Sequence, residues 1–63
     1  MLRQRVFRII QNNFNSKNYF VYTKQILAEL AGISMRSLNR TLSELQNDRL
    51  IIVDSGTIRL FTD

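Results

Sequence analysis

Between Thr23 and Leu45 the chain reads TKQILAELAGISMRSLNRTLSEL, and the glycine inside that stretch constrains the fold more than any other residue. Gly32 closes an apolar set of Ile26, Leu27, Leu30 and Ala31. A glycine in that place takes the left-handed conformation that ends a helix, at no steric cost. Two residues later Ser34 is placed to cap a second helix. Its hydroxyl accepts from the backbone N–H of Arg36 or Ser37, with Ile33 and Leu38 as a hydrophobic staple across the cap. Thr23 repeats the device one helix earlier, with Tyr22 and Leu27 as its staple pair. Local chemistry therefore predicts two helices joined by a tight turn.

The second of these helices has two unlike faces. Leu38, Leu42 and Leu45 recur at i, i+4 and i+7 and share one side. Met35, Arg36, Asn39, Arg40 and Ser43 occupy the other, and no acidic residue falls between Met35 and Ser43. A solvated helix face usually mixes both signs of charge. This one suits an anionic partner, and its residue types fit base edges, since Arg forks onto guanine and Asn pairs with adenine in the major groove. Such a pair of helices is the plan of a helix-turn-helix.

Spacing narrows the plan further. Ala28, Gly32 and Leu38 stand where such units need a small residue, a turn and a buried contact. Thr23, Lys24, Gln25, Leu27, Gly32, Ser34, Ser37, Leu38, Arg40 and Leu42 follow the frame T-R-Q-E-I-x-x-x-x-G-x-S-x-E-T-V-x-R-x-L. On these residues the chain, from Thr23 to Ile58, resembles the C-terminal winged helix-turn-helix of the CRP/FNR superfamily of bacterial transcription regulators. The resemblance implies a mainly α fold of three helices plus a small β-hairpin wing, and sequence-specific binding of double-stranded DNA. Arg40 matches the family's base-contacting arginine. Thr23, Lys24, Gln25, Ser34 and Ser37 match positions that resemble its phosphate contacts. Arg36 departs from the pattern, because it replaces a glutamate that accepts from cytosine, so the family's usual half-site does not carry over.

The resemblance also sets expectations about the whole protein. Residues 1–63 form one winged helix-turn-helix domain, cut from a longer regulator that carries a sensor domain and a dimer helix ahead of this point. Homodimerisation and contact with RNA polymerase then belong to the full-length protein, and no cofactor belongs to this domain. No apolar run approaches the roughly 18 residues of a membrane span and no signal-peptide core follows the basic N-terminus, so a cytoplasmic location, on the nucleoid when bound, is the expectation.

Elsewhere the pattern completes the domain. Leu2 to Phe14 reads as the first helix, with Leu2, Val6, Ile9, Ile10 and Phe14 at helical spacing. Phe7 fits that stripe less well, as a partly buried core residue or as a contact to another part of a longer chain. Asn12 to Asn18 is a loop. Tyr19 to Tyr22 suggests a brief strand packed on the helices, with stacking on unpaired bases as the alternative use of its rings. Leu50 to Val53 reads as a buried strand, Asp54-Ser55-Gly56-Thr57 as a tight turn, and Thr57 to Phe61 as the returning strand. Ser55 and Thr57 at that tip are phosphate-contact candidates, unless the hairpin merely completes the core.

Composition sets the outer limits. With 63 residues and neither Cys nor His, the chain lies near the lower end of what folds without a disulfide or metal. The same absence removes the usual imidazole base, thiolate nucleophile and zinc site, and the five scattered carboxylates propose no catalysis. Net charge is +4 and unevenly spread. Residues 1–43 hold seven Lys or Arg against the single acid Glu29, whereas residues 44–63 hold two against four acids. A phosphate-facing surface and an ordinary solvated surface both fit that balance. The rival function is a protein-interaction module docking on an acidic partner. RNA ranks below both, because a deep A-form major groove does not admit this helix.

Overall fold

The computed structural model describes residues 2–17, 19–54 and 56–61. Three helices, α1 (Leu2–Gln11), α2 (Lys24–Ala31) and α3 (Met35–Asn47), precede an antiparallel hairpin of β1 (Ile51–Asp54) and β2 (Thr57–Leu60). This is the winged helix-turn-helix architecture that the sequence predicts. α1 packs on both α2 and α3, and α3 also packs on β1. Val6, Ile10, Leu27, Leu38, Leu45 and Ile51 are fully buried at the centre. Phe7 is half-buried and packs against that core.

Two corners shape the chain, and both are built alike. After α2, Gly32 sits at φ +69°, its N–H donates to the Glu29 carbonyl, and the next N–H, of Ile33, donates to Ala28. After α3, Arg49 sits at φ +60°, its N–H donates to Gln46, and the N–H of Leu50 donates to Leu45. Each pair of bonds satisfies carbonyls that the ending helix leaves without partners. The first corner uses glycine; the second forces an arginine into the left-handed region.

The register pairs Ile51 with Leu60 and Val53 with Ile58 on the inner face, and Ile52 with Arg59 and Asp54 with Thr57 on the outer one. Gly56, at φ +82°, makes the reversal between them.

Three expectations need correction. α1 stops at Gln11 rather than Phe14, because the Asn13 side chain donates to the Ile9 carbonyl and competes with the helix. Phe14 instead bridges to Phe20 and packs on the core. Tyr19 to Tyr22 forms single bridges rather than a regular strand: Tyr19 pairs with Arg59, and the Phe20 N–H donates to Ile58 at 2.7 Å. The Asn15 carboxamide holds the N–H groups of Lys17 and Tyr19, which bends the approach into an Asx-type turn, and Val21 and Tyr22 stay exposed. The Tyr22 ring rests edge-on against Phe20, centroids 5.8 Å apart. Leu50, finally, lies outside β1 and is 38% exposed, because the corner at Arg49 uses its N–H to close α3.

A Cβ added at Gly32 meets nothing within 4 Å, so only backbone conformation resists substitution there. Gly32→Ala is expected to destabilise the domain by about 1 kcal/mol, while Arg49→Gly stabilises it by about 0.5–1 kcal/mol at the equivalent corner. Urea denaturation of both variants checks the opposite signs.

Candidate nucleic-acid interface

Each helix of the α2–α3 pair begins on a side-chain oxygen that receives the N–H of its third residue. Thr23 Oγ1 accepts from the Ile26 N–H at 3.2 Å, and Ser34 Oγ accepts from the Ser37 N–H at 3.2 Å. Ser34 also donates to the Ser37 hydroxyl at 3.2 Å. Thr23, Gln25 and Ser34 are exposed, and Lys24 and Ser37 are half-buried. These residues thus gather at two helix starts, where unsatisfied N–H groups and the helix dipole favour an anion.

Leu38, Leu42 and Leu45 are buried, and they fix the orientation of α3. Thr41 is buried beside them and satisfies its hydroxyl on the Ser37 carbonyl at 2.9 Å. Met35, Arg36, Asn39, Arg40 and Ser43 are therefore turned outward, and all five are exposed. No carboxylate among the described residues pairs with Lys24, Arg36 or Arg40. Two other cations of the basic body are committed elsewhere. Arg3 pairs with Asp48 at 3.1 Å, and Arg5 donates to the Ala31 carbonyl at 2.8 Å, fastening α1 to the end of α2.

The outward face divides in two. Arg36, Ser37 and Arg40 line one open depression. Lys24, Asn39, Leu42, Ser43, Gln46 and Val53 line another, a groove between α3 and the outer edge of β1. Gln46 is the residue that sequence reasoning missed. Its Oε1 accepts from the Val53 N–H at 2.9 Å and ties the wing to α3. The signal available was an uncharged amide near the end of α3, and no periodicity distinguishes such a tie from a solvated side chain.

At the wing, Thr57 is exposed and sits on the outer face with Asp54, Arg59 and Tyr19, away from the groove that holds Lys24. Ser55, the other candidate there, lies outside the described residues.

A family model described as a Crp-like helix-turn-helix domain matches residues 3–61. The chain belongs to this family. The match takes in α1 and the whole hairpin, beyond the Thr23 to Ile58 stretch that carries the resemblance in the sequence. No curated protein and no solved structure matches the chain significantly. Family membership makes this Crp-like domain one of the DNA-binding modules of transcription regulators. No helix among its described residues is long and apolar enough to cross a membrane.

The caps give a local test. Ser34→Ala is expected to cost about 1 kcal/mol by leaving the Ser37 N–H without its acceptor, whereas Ser34→Asp keeps the cap and holds stability near wild type. Thermal denaturation of the two variants checks this.

Proposed function

We propose that this Crp-like domain binds double-stranded DNA sequence-specifically, with α3 in the major groove. The observation that carries the proposal is the exposed pair Arg36 and Arg40. The two lie one helical turn apart, without a carboxylate partner among the described residues, on the face turned away from the buried leucines. A guanidinium in that setting is open to the O6 and N7 of guanine. Arg36 and Arg40 are the base readers, with Met35, Asn39 and Ser43 flanking them. Thr23, Lys24, Gln25, Ser34 and Ser37 hold phosphates at the two helix starts, and the Ser55 to Thr57 tip contacts the backbone from the wing.

The domain works as part of a longer bacterial regulator that pairs two copies on a near-palindromic site and is cytoplasmic. The chain by itself has one reading head, so it binds weakly and gains strongly from linkage to a second. Contact with RNA polymerase belongs to that larger protein.

Amide chemical-shift titration with a random-sequence duplex, at low and then physiological salt, tests the docking face. Shifts centred on Lys24, residues 34–43 and the wing tip, fading as salt rises, are expected. No shift on a folded domain would instead favour docking on an acidic protein.

Two further outcomes separate reading from holding. Arg40→Ala is expected to cost roughly 1–3 kcal/mol and to relax preference at one base pair, whereas Lys24→Ala weakens all sequences alike and lowers the salt slope by about one. Equal loss on cognate and random duplexes would remove Arg40 from the reading role. Selection of preferred sites from a random pool is expected to place guanine opposite Arg36; recovery of the family's usual half-site would refute that assignment.

A further inference from the structure

We infer that Gln46 contacts DNA directly, donating its amide to a backbone phosphate seated in the groove between α3 and β1. The inference rests on the DNA-binding reading above and adds to it a residue and a binding place. Its starting point is the bond from the Val53 N–H to Gln46 at 2.9 Å. A backbone N–H only donates, so the Gln46 atom that meets it is the oxygen. The part of the carboxamide left over is its NH2, and no partner within the described residues engages that group. Val53 thereby fixes which end of the amide a ligand meets. It meets a donor.

The other polar lining of the groove has matching chemistry. Lys24, Asn39 and Ser43 line it with Gln46, and none of the three makes a side-chain hydrogen bond or ion pair among the described residues. Among the described residues no Asp or Glu is part of the lining; Glu44 lines a separate depression with Leu2, Arg3 and Gln4. A concavity whose described lining offers an ammonium, two carboxamides and a hydroxyl, and no carboxylate, selects an anion. Its volume is about 460 Å³. The groove is open to solvent, so a phosphodiester can approach its polar lining from outside.

Position decides which anion. Asn39, Ser43 and Gln46 lie on the flank of α3 that lines the groove beside β1, whereas Arg36 and Arg40 line the separate depression on its outer side. With Arg36 and Arg40 against base edges, the flank faces the wall of the groove, where one strand's phosphates run. Gln46 is then shared between two jobs. Its oxygen sets the spacing of wing and helix, and its nitrogen binds what that spacing admits.

The test uses this chain with Gln46→Glu, in which a carboxylate oxygen still accepts from Val53 but the donor is replaced by an anion. Gln11→Glu, at the exposed end of α1, carries the same charge change outside the groove. Affinity is measured by fluorescence anisotropy on a random and a selected duplex, with hydrogen exchange at the Val53 amide in parallel. The expected result is a loss of about tenfold on both duplexes for Gln46→Glu, against less than about twofold for Gln11→Glu, with Val53 still protected. Binding of Gln46→Glu within about twofold of wild type, while Lys24→Ala weakens, would overturn the contact and leave the DNA-binding reading standing. Weakened binding with loss of Val53 protection would also overturn it, since the residue would then act only through the wing. Failure of the unmodified chain to bind either duplex would remove both.

Discussion

The left-handed turn at Gly32 is the constraint on which the rest of the structure depends. With the chain at φ +69° there, the N–H groups of Gly32 and Ile33 fold back onto α2, and Ser34 is delivered in an extended conformation to cap α3. The relative orientation of the two helices follows from three residues of backbone. Leu27 on α2 and Leu38 on α3 are then both fully buried, and burial of each apolar side chain contributes roughly 1.5–3 kcal/mol. Packing locks the angle that the turn sets. Arg36 and Arg40 face outward because the leucines of the same helix face inward.

The second corner has the same hydrogen bonds and a different consequence. Arg49 accepts a conformation that glycine takes freely, because the corner must close α3 and launch β1 within three residues. The hairpin it launches would be marginal alone. Here Ile51 and Ile58 are buried against the helices, Phe20 bonds one edge, and Gln46 bonds the other. The wing is thus held along both edges, and the groove beside Lys24 and Asn39 is lined by both ends of the Gln46–Val53 tie.

Much of this architecture is legible locally. The caps at Thr23 and Ser34, the turn glycines 32 and 56, and the heptad-like leucines of α3 each act through neighbours within a few residues, and the structure places them as their chemistry dictates. The errors share a cause as well. Phe14 looks helical by spacing, yet its place is fixed by a bridge to Phe20. Leu50 looks like strand core, yet its N–H is claimed by α3. In both, a short-range hydrogen bond that apolar spacing does not reveal ends the element earlier than the pattern suggests.

The sequence by itself determined the three helices, the two caps, the tight turn and the basic, acid-free face of α3, because capping, left-handed glycine and helical periodicity are short-range effects. Only the tertiary structure decided which cations stay available and where the face divides. Arg3 and Arg5 carry the same charge as Arg36 and Arg40 in the sequence, but Asp48 and the Ala31 carbonyl engage them across the fold. Likewise Gln46 gains its meaning from Val53, seven residues on and in a different element. Long-range hydrogen bonds and ion pairs depend on how elements pack, and no single stretch of chain encodes them.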